Sequence, residues 1–133
     1  MANWTYSQST GEMSSGDNTF SCYSGAGDGK NNPAMQDQHN VGPVPQGEYD
    51  VSGPECVAVG NGTCPDCGAP ENAHHHGPFV WRLHPNPANE MFGRAGFLIH
   101  GDNANHTASQ GCIITERAER NLFSAGDTVT VIA

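Results

Sequence analysis

Glycine or proline interrupts almost every stretch of this chain that might otherwise run on as a helix, with 17 glycines and 9 prolines among 133 residues. Glycine weakens a helix interior through backbone entropy and proline through its missing N–H, so short strands joined by turns are favoured. One run escapes: Thr115 can cap a helix, Glu116 suits its first turn and Gly126 follows its end near Phe123. The expected fold class is mainly β with one short helix. The length fits a single domain over 1–133, and an apolar share of only 35% implies a small core and much irregular surface.

Within that frame Trp4 to Ser9 reads as a half-buried strand, and Thr19 to Tyr23 is expected to pair with it after a Gly11 to Asn18 turn. An ordered, proline-rich loop around Val41 to Gly47 leads into a strand at Glu48 to Val51. Residues 52–77 hold Gly, Pro, Asn, Cys and His with almost no large apolar side chain, and read as an inserted loop. Strand character returns at Phe79 to Leu83, Gly96 to His100, Cys112 to Ile114 and Thr128 to Ile132.

A net charge of -9 opposes the phosphate neutralisation on which nucleic-acid affinity rests, so nucleic acid is not an expected partner. No apolar run approaches the ~20 residues that span a bilayer, and the N-terminus lacks the basic start and apolar run of a Sec signal. The chain is expected to be made in the cytoplasm; action elsewhere needs other delivery machinery, or an export segment outside this sequence.

The chemistry concentrates in Gly93-Arg94-Ala95-Gly96-Phe97-Leu98-Ile99-His100-Gly101 and Ser109-Gln110-Gly111-Cys112-Ile113-Ile114. One apolar strand ends on His100 and another begins on Cys112. Side by side, they bring the imidazole within reach of the thiol, and such a pair favours the nucleophilic thiolate. Gly111 lets the backbone approach a substrate, and the N–H groups around Gly111 and Cys112 suit an oxyanion hole. His precedes Cys here, the reverse of papain-like enzymes. The five cysteines, at 22, 56, 64, 67 and 112, leave at least one thiol over after pairing, and Cys112 is the candidate.

Ser109-x-Gly111-Cys112, preceded by Ile99-His100-Gly101, resembles the active-site motif of the L,D-transpeptidases, the YkuD-like family. Further blocks are Tyr23-Ser24-Gly25, Asn31-Asn32-Pro33, Gly42-Pro43-Val44-Pro45-x-Gly47-x-Tyr49 and Gly93-Arg94-x-Gly96-Phe97. Together they are similar to the L,D-transpeptidase-like toxins that type VI secretion systems inject into rival bacteria, and cover most of the chain outside 52–77. The resemblance implies an L,D-transpeptidase-like β-sandwich and a cysteine enzyme that cleaves or exchanges the terminal D-Ala of peptidoglycan tetrapeptide stems, without a cofactor. Cys112 would be nucleophile and His100 base, with Ser109 and the Gly101 carbonyl orienting the imidazole. It also implies an immunity protein, a secretion-system carrier, and action in the periplasm of target bacteria.

Two positions depart from the family pattern: Gln110 stands where a His is typical, and Ile114 where an Arg often lies. Arg94 is the substitute candidate for gripping a substrate carboxylate, against an equally weighted reading as a solvated turn residue. Tyr23, Asn31 and Asn32 are candidates to line the cleft, although Asn-Asn-Pro is also ordinary turn chemistry. Cys56, Cys64, Cys67 and His74 to His76 fit either disulfides, with Cys22 taking the remainder, or zinc. Disulfides or free thiols are favoured, so no metal is assigned; the zinc reading underlies the rival hypothesis, a non-enzymatic zinc-stabilised binding module.

Overall fold

The computed structural model describes residues 2–58, 74–101, 109 and 111–133. In chain order the strands are β1 (Asn3–Ser7), β2 (Glu12–Ser15), β3 (Asn18–Ser21), β4 (Tyr23–Ser24), β5 (Gly47–Ala58), β6 (His74–Pro85), β7 (Leu98–His100) and β8 (Ile113–Ile114). Helix α1 (Arg117–Arg120) and strand β9 (Thr128–Ile132) complete the chain. The strands form one sheet in the order β3-β2-β1-β9-β5-β6-β7-β8-β4.

This order dictates the shape. Strands spaced ~4.8 Å apart would separate the edges of a flat nine-stranded sheet by about 38 Å, whereas the step from Ser21 to Tyr23 reaches about 7 Å. Yet β3 lies at one edge, β4 at the other, and Cys22 alone separates them in the chain. The sheet therefore curls until its edges meet, and the two layers expected of a sandwich are two halves of that one sheet. The mainly β class stands, with one short α-helix among the described residues.

Strand alternation fills the interior. Trp4 and Tyr6 on β1, Tyr49 and Val51 on β5, Trp81 and Leu83 on β6, and Val129 and Val131 on β9 all turn inward. Phe123, just after α1, stacks 4.6 Å from Trp4, and Phe20 lies 5.6 Å from the same indole. The Trp81 indole N–H donates to Arg120 O at 2.8 Å and so pins α1 against β6. Buried Asp127 accepts from Ala2 N at 2.8 Å, Trp4 Nε1 at 3.1 Å and Ser124 N at 2.9 Å, tying the start of β1 to the lead-in of β9.

Three expectations change. The N-terminal unit is not one hairpin: the stretch read as a turn contains β2, which pairs with both β1 and β3, and β1 pairs in parallel with β9. Strands β5 and β6 extend into 52–77 from both sides as one bulged antiparallel pair, leaving 59–73 outside the described residues. The helix is a single four-residue turn. Among the described residues no helix is long and apolar enough to cross a membrane.

Candidate active site

Strands β7 and β8 are parallel neighbours, with Ile99 opposite Ile113 and His100 opposite Ile114. Side chains alternate along a strand, so Ile99 and Ile113 share the core face while Leu98 and His100 share the other with Ile114. Cys112 lies immediately before β8, and His100 ends the neighbouring strand β7. His100 is only 1% exposed, and its Nδ1 lies 2.8 Å from Gly101 O. A carbonyl only accepts, so Nδ1 is the nitrogen that carries a proton toward Gly101.

Cys112 is half-buried and free. Its sulfur accepts from Leu98 N at 3.4 Å and lies 3.9 Å from Gly96 O, over the start of β7. Burial pushes the Cys112 thiol above its ordinary range, against the opposing pull of the Leu98 amide and the Arg94 guanidinium.

The backbone around Cys112 is held by hydroxyl groups. Buried Ser109 donates through Oγ to Cys112 O at 2.6 Å, and accepts from Gly25 N at 2.9 Å and Gly111 N at 3.1 Å. This corrects two expectations. The described contacts of Ser109 Oγ are to backbone rather than to the imidazole, and the Gly111 N–H is spent on Ser109 instead of facing an oxyanion. Gly111 adopts φ +129°, and a Cβ there would fall 2.5 Å from Arg94 Nη2 and 2.7 Å from the Phe97 ring, so backbone and space both demand glycine.

Arg94 is corrected as well. It is 4% exposed, and its guanidinium donates to the carbonyls of Gln36 at 2.6 Å, Pro43 at 2.7 Å and Gly42 at 2.9 Å. It fastens the proline-rich loop beneath Gly111 rather than facing a substrate carboxylate. Asn31 and Asn32 do turn work: Asn31, at φ 52°, accepts from Ser24 N through Oδ1 at 3.2 Å, and Asn32 Oδ1 accepts from Ala34 N at 3.2 Å. Tyr23 pairs with Ile114 of β8, its ring 3.9 Å beneath Lys30 Nζ.

Sequence reasoning passed over two residues. Ser24 stands in the sequence only as one residue of the Tyr23-Ser24-Gly25 block, yet its hydroxyl is fully buried beneath Gly111. Arg120 donates to Thr115 O at 2.7 Å and crowds Gly101, where an added Cβ would meet its Nη1 at 2.9 Å; nothing in the sequence signals this.

Cys22 is a free thiol, not a disulfide partner, and burial pushes it up to about 12 against a hydrogen bond from Thr115. The side chains of Cys56 and His74 to His76, and all of Cys64 and Cys67, lie outside the described residues, as does the family-departing Gln110. Among the described residues no group of three His, Cys, Asp or Glu is placed to hold a metal. A polar cavity of about 430 Å³ sits away from the pair, lined by Asn3, Glu48, Tyr49, Asp50, Asn86, Thr128 and Thr130.

The curled sheet is similar to the fold of the L,D-transpeptidases. L,D-transpeptidase 1 of Mycobacterium tuberculosis matches with a TM-score of 0.54 at 16% identity, over 99% of this chain and 59% of that one. L,D-transpeptidase 3 of the same organism, solved with a faropenem-derived adduct, matches with a TM-score of 0.55 at 16% identity, over 99% of this chain and 60% of that one. This chain therefore spans about three fifths of the length of those structures. No curated protein is similar enough in sequence to match. The family model of the Tlde1 domain matches residues 18–131, and the chain belongs to that family.

Proposed function

We propose that this chain is a cysteine enzyme acting on the tetrapeptide stems of peptidoglycan. The observation that supports the reading is the pairing of β7, which ends on His100, with β8, which begins just after Cys112, together with the contact of His100 Nδ1 to Gly101 O. As the Cys112 sulfur bonds to the carbonyl carbon at the L-centre of diaminopimelate, its proton passes to His100 Nε2. The C–N bond to the terminal D-Ala then breaks, and His100 returns the proton to the departing amine. A thioester remains on Cys112. Water resolves it in an L,D-carboxypeptidase; a D-amino acid or a neighbouring stem amine resolves it in an exchange or cross-linking reaction.

Membership of the Tlde1 family supports an antibacterial role, in which type VI machinery delivers the enzyme to the periplasm of a rival and an immunity protein protects the producer. Incubation with tetrapeptide muropeptides should release D-Ala, followed by mass spectrometry, and Cys112→Ala should lower the rate by on the order of 10⁴-fold or more. Directed to the periplasm of a sensitive strain, the native chain should deform or lyse cells while Cys112→Ala leaves growth normal. Undiminished D-Ala release by Cys112→Ala would overturn the assignment.

A further inference from the structure

An oxyanion hole needs a donor aimed at the reacting carbonyl, and the structure spends the obvious one. Of the two amides at the Gly111–Cys112 corner, Gly111 N–H is turned to Ser109 Oγ. The other, Cys112 N–H, shares a planar trans peptide with the Gly111 carbonyl, and in such a unit N–H and C=O point in opposite directions. Whatever holds that carbonyl therefore aims that amide.

The holder is Ser24. Its hydroxyl donates to Gly111 O at 2.8 Å and accepts from Val44 N at 2.8 Å. The polarity is unambiguous, because Val44 N–H only donates and Gly111 O only accepts. Ser24 is itself immobilised: it is fully buried on β4, its N–H donates to Asn31 Oδ1 at 3.2 Å, and its carbonyl accepts from Asn31 N at 2.9 Å. Asparagine tolerates the left-handed backbone that this return contact requires.

We infer that Ser24 is a positioning residue which, by pulling the Gly111 carbonyl toward β4, aims the Cys112 N–H away from β4 at the oxygen of the carbonyl under attack. This rests on Cys112 being the nucleophile. It predicts a selective defect, because attack on a carbonyl generates an oxyanion whereas displacement of iodide from iodoacetamide does not.

In Ser24→Ala, kcat for D-Ala release from tetrapeptide stems should fall about 10- to 100-fold, part of the loss seen when an oxyanion donor is removed outright, with KM little changed. Alkylation of Cys112 by iodoacetamide, followed by peptide mass spectrometry, should stay within about twofold of the native rate. Ser24→Thr, which keeps the hydroxyl, should recover most of the lost kcat. An unchanged kcat in Ser24→Ala, or an equal fall in kcat and alkylation, overturns the inference while leaving Cys112 as nucleophile. A native protein that releases no D-Ala removes the catalytic reading itself, and this inference with it.

Discussion

Two regions of the curled sheet are held together by different means. Around β1, β9 and β5 the ladders are long, with five register pairs between β1 and β9 and four between β9 and β5, over a core that gathers Trp4, Phe20 and Phe123. Around β7, β8 and β4 each ladder has only two pairs. Order there comes from Ser24, Ser109 and Arg94, whose polar atoms bind backbone carbonyls and amides. Apolar burial is non-directional and supplies bulk stability, whereas hydrogen bonds fix direction. The first region keeps the chain folded; the second sets angles.

Trp4→Ala should have the largest effect on folding. Loss of a buried indole costs about 3–5 kcal/mol, a large share of the ~5–15 kcal/mol that holds a typical domain, and should appear as a lower denaturation midpoint. The fraction still folded should release D-Ala with nearly native kcat, and a collapsed kcat would erase the distinction between the regions. Ser109→Ala should do the reverse. It deprives Gly25 N, Gly111 N and Cys112 O of a partner, and kcat should drop about 10- to 100-fold for a stability loss of about 1–3 kcal/mol. Native kcat in this variant would show that the serine hub does not set catalytic geometry.

The smallest effect concerns acid. Burial disfavours the Asp127 carboxylate, but hydrogen bonds from Ala2, Trp4 and Ser124 outweigh it and hold the carboxyl below the ordinary 3.8. The unfolded chain thus binds the proton more readily. The stabilisation is present above about pH 4 and is lost as pH falls through the lower folded-state value. Asp127→Asn should cost about 1–2 kcal/mol near neutral pH and flatten the acid limb of a midpoint-against-pH curve, which checks the sign.

What the sequence disclosed follows the same division. The run Thr128 to Ile132 is β9 residue for residue, because alternating Val and Thr carry the period of a half-buried strand. The apolar runs ending on His100 and starting at Cys112 showed where β7 and β8 would lie. Strand β2 was hidden: of Glu12-Met13-Ser14-Ser15 only Met13 reaches the core, so it carries no alternation to read. The flanks of 52–77 were hidden because their Gly, Pro, Cys and His residues offer no apolar alternation to read, although their backbones pair. The roles of Arg94 and Ser109 escaped for a related reason: their partners are main-chain atoms, which every residue supplies, so no side chain advertises the contact.

The single residue joining β3 to β4 turns the sheet into a hoop whose circumference is fixed. One extra residue beside Cys22 would move Tyr23 and Ser24 by one position against Ile114 and Ile113, and successive strand residues face opposite ways. The hydroxyl beneath Gly111 would swing to the outside while a neighbour took its place. Spacing at this junction is therefore part of the proposed catalytic apparatus, although the junction itself bears no reacting group.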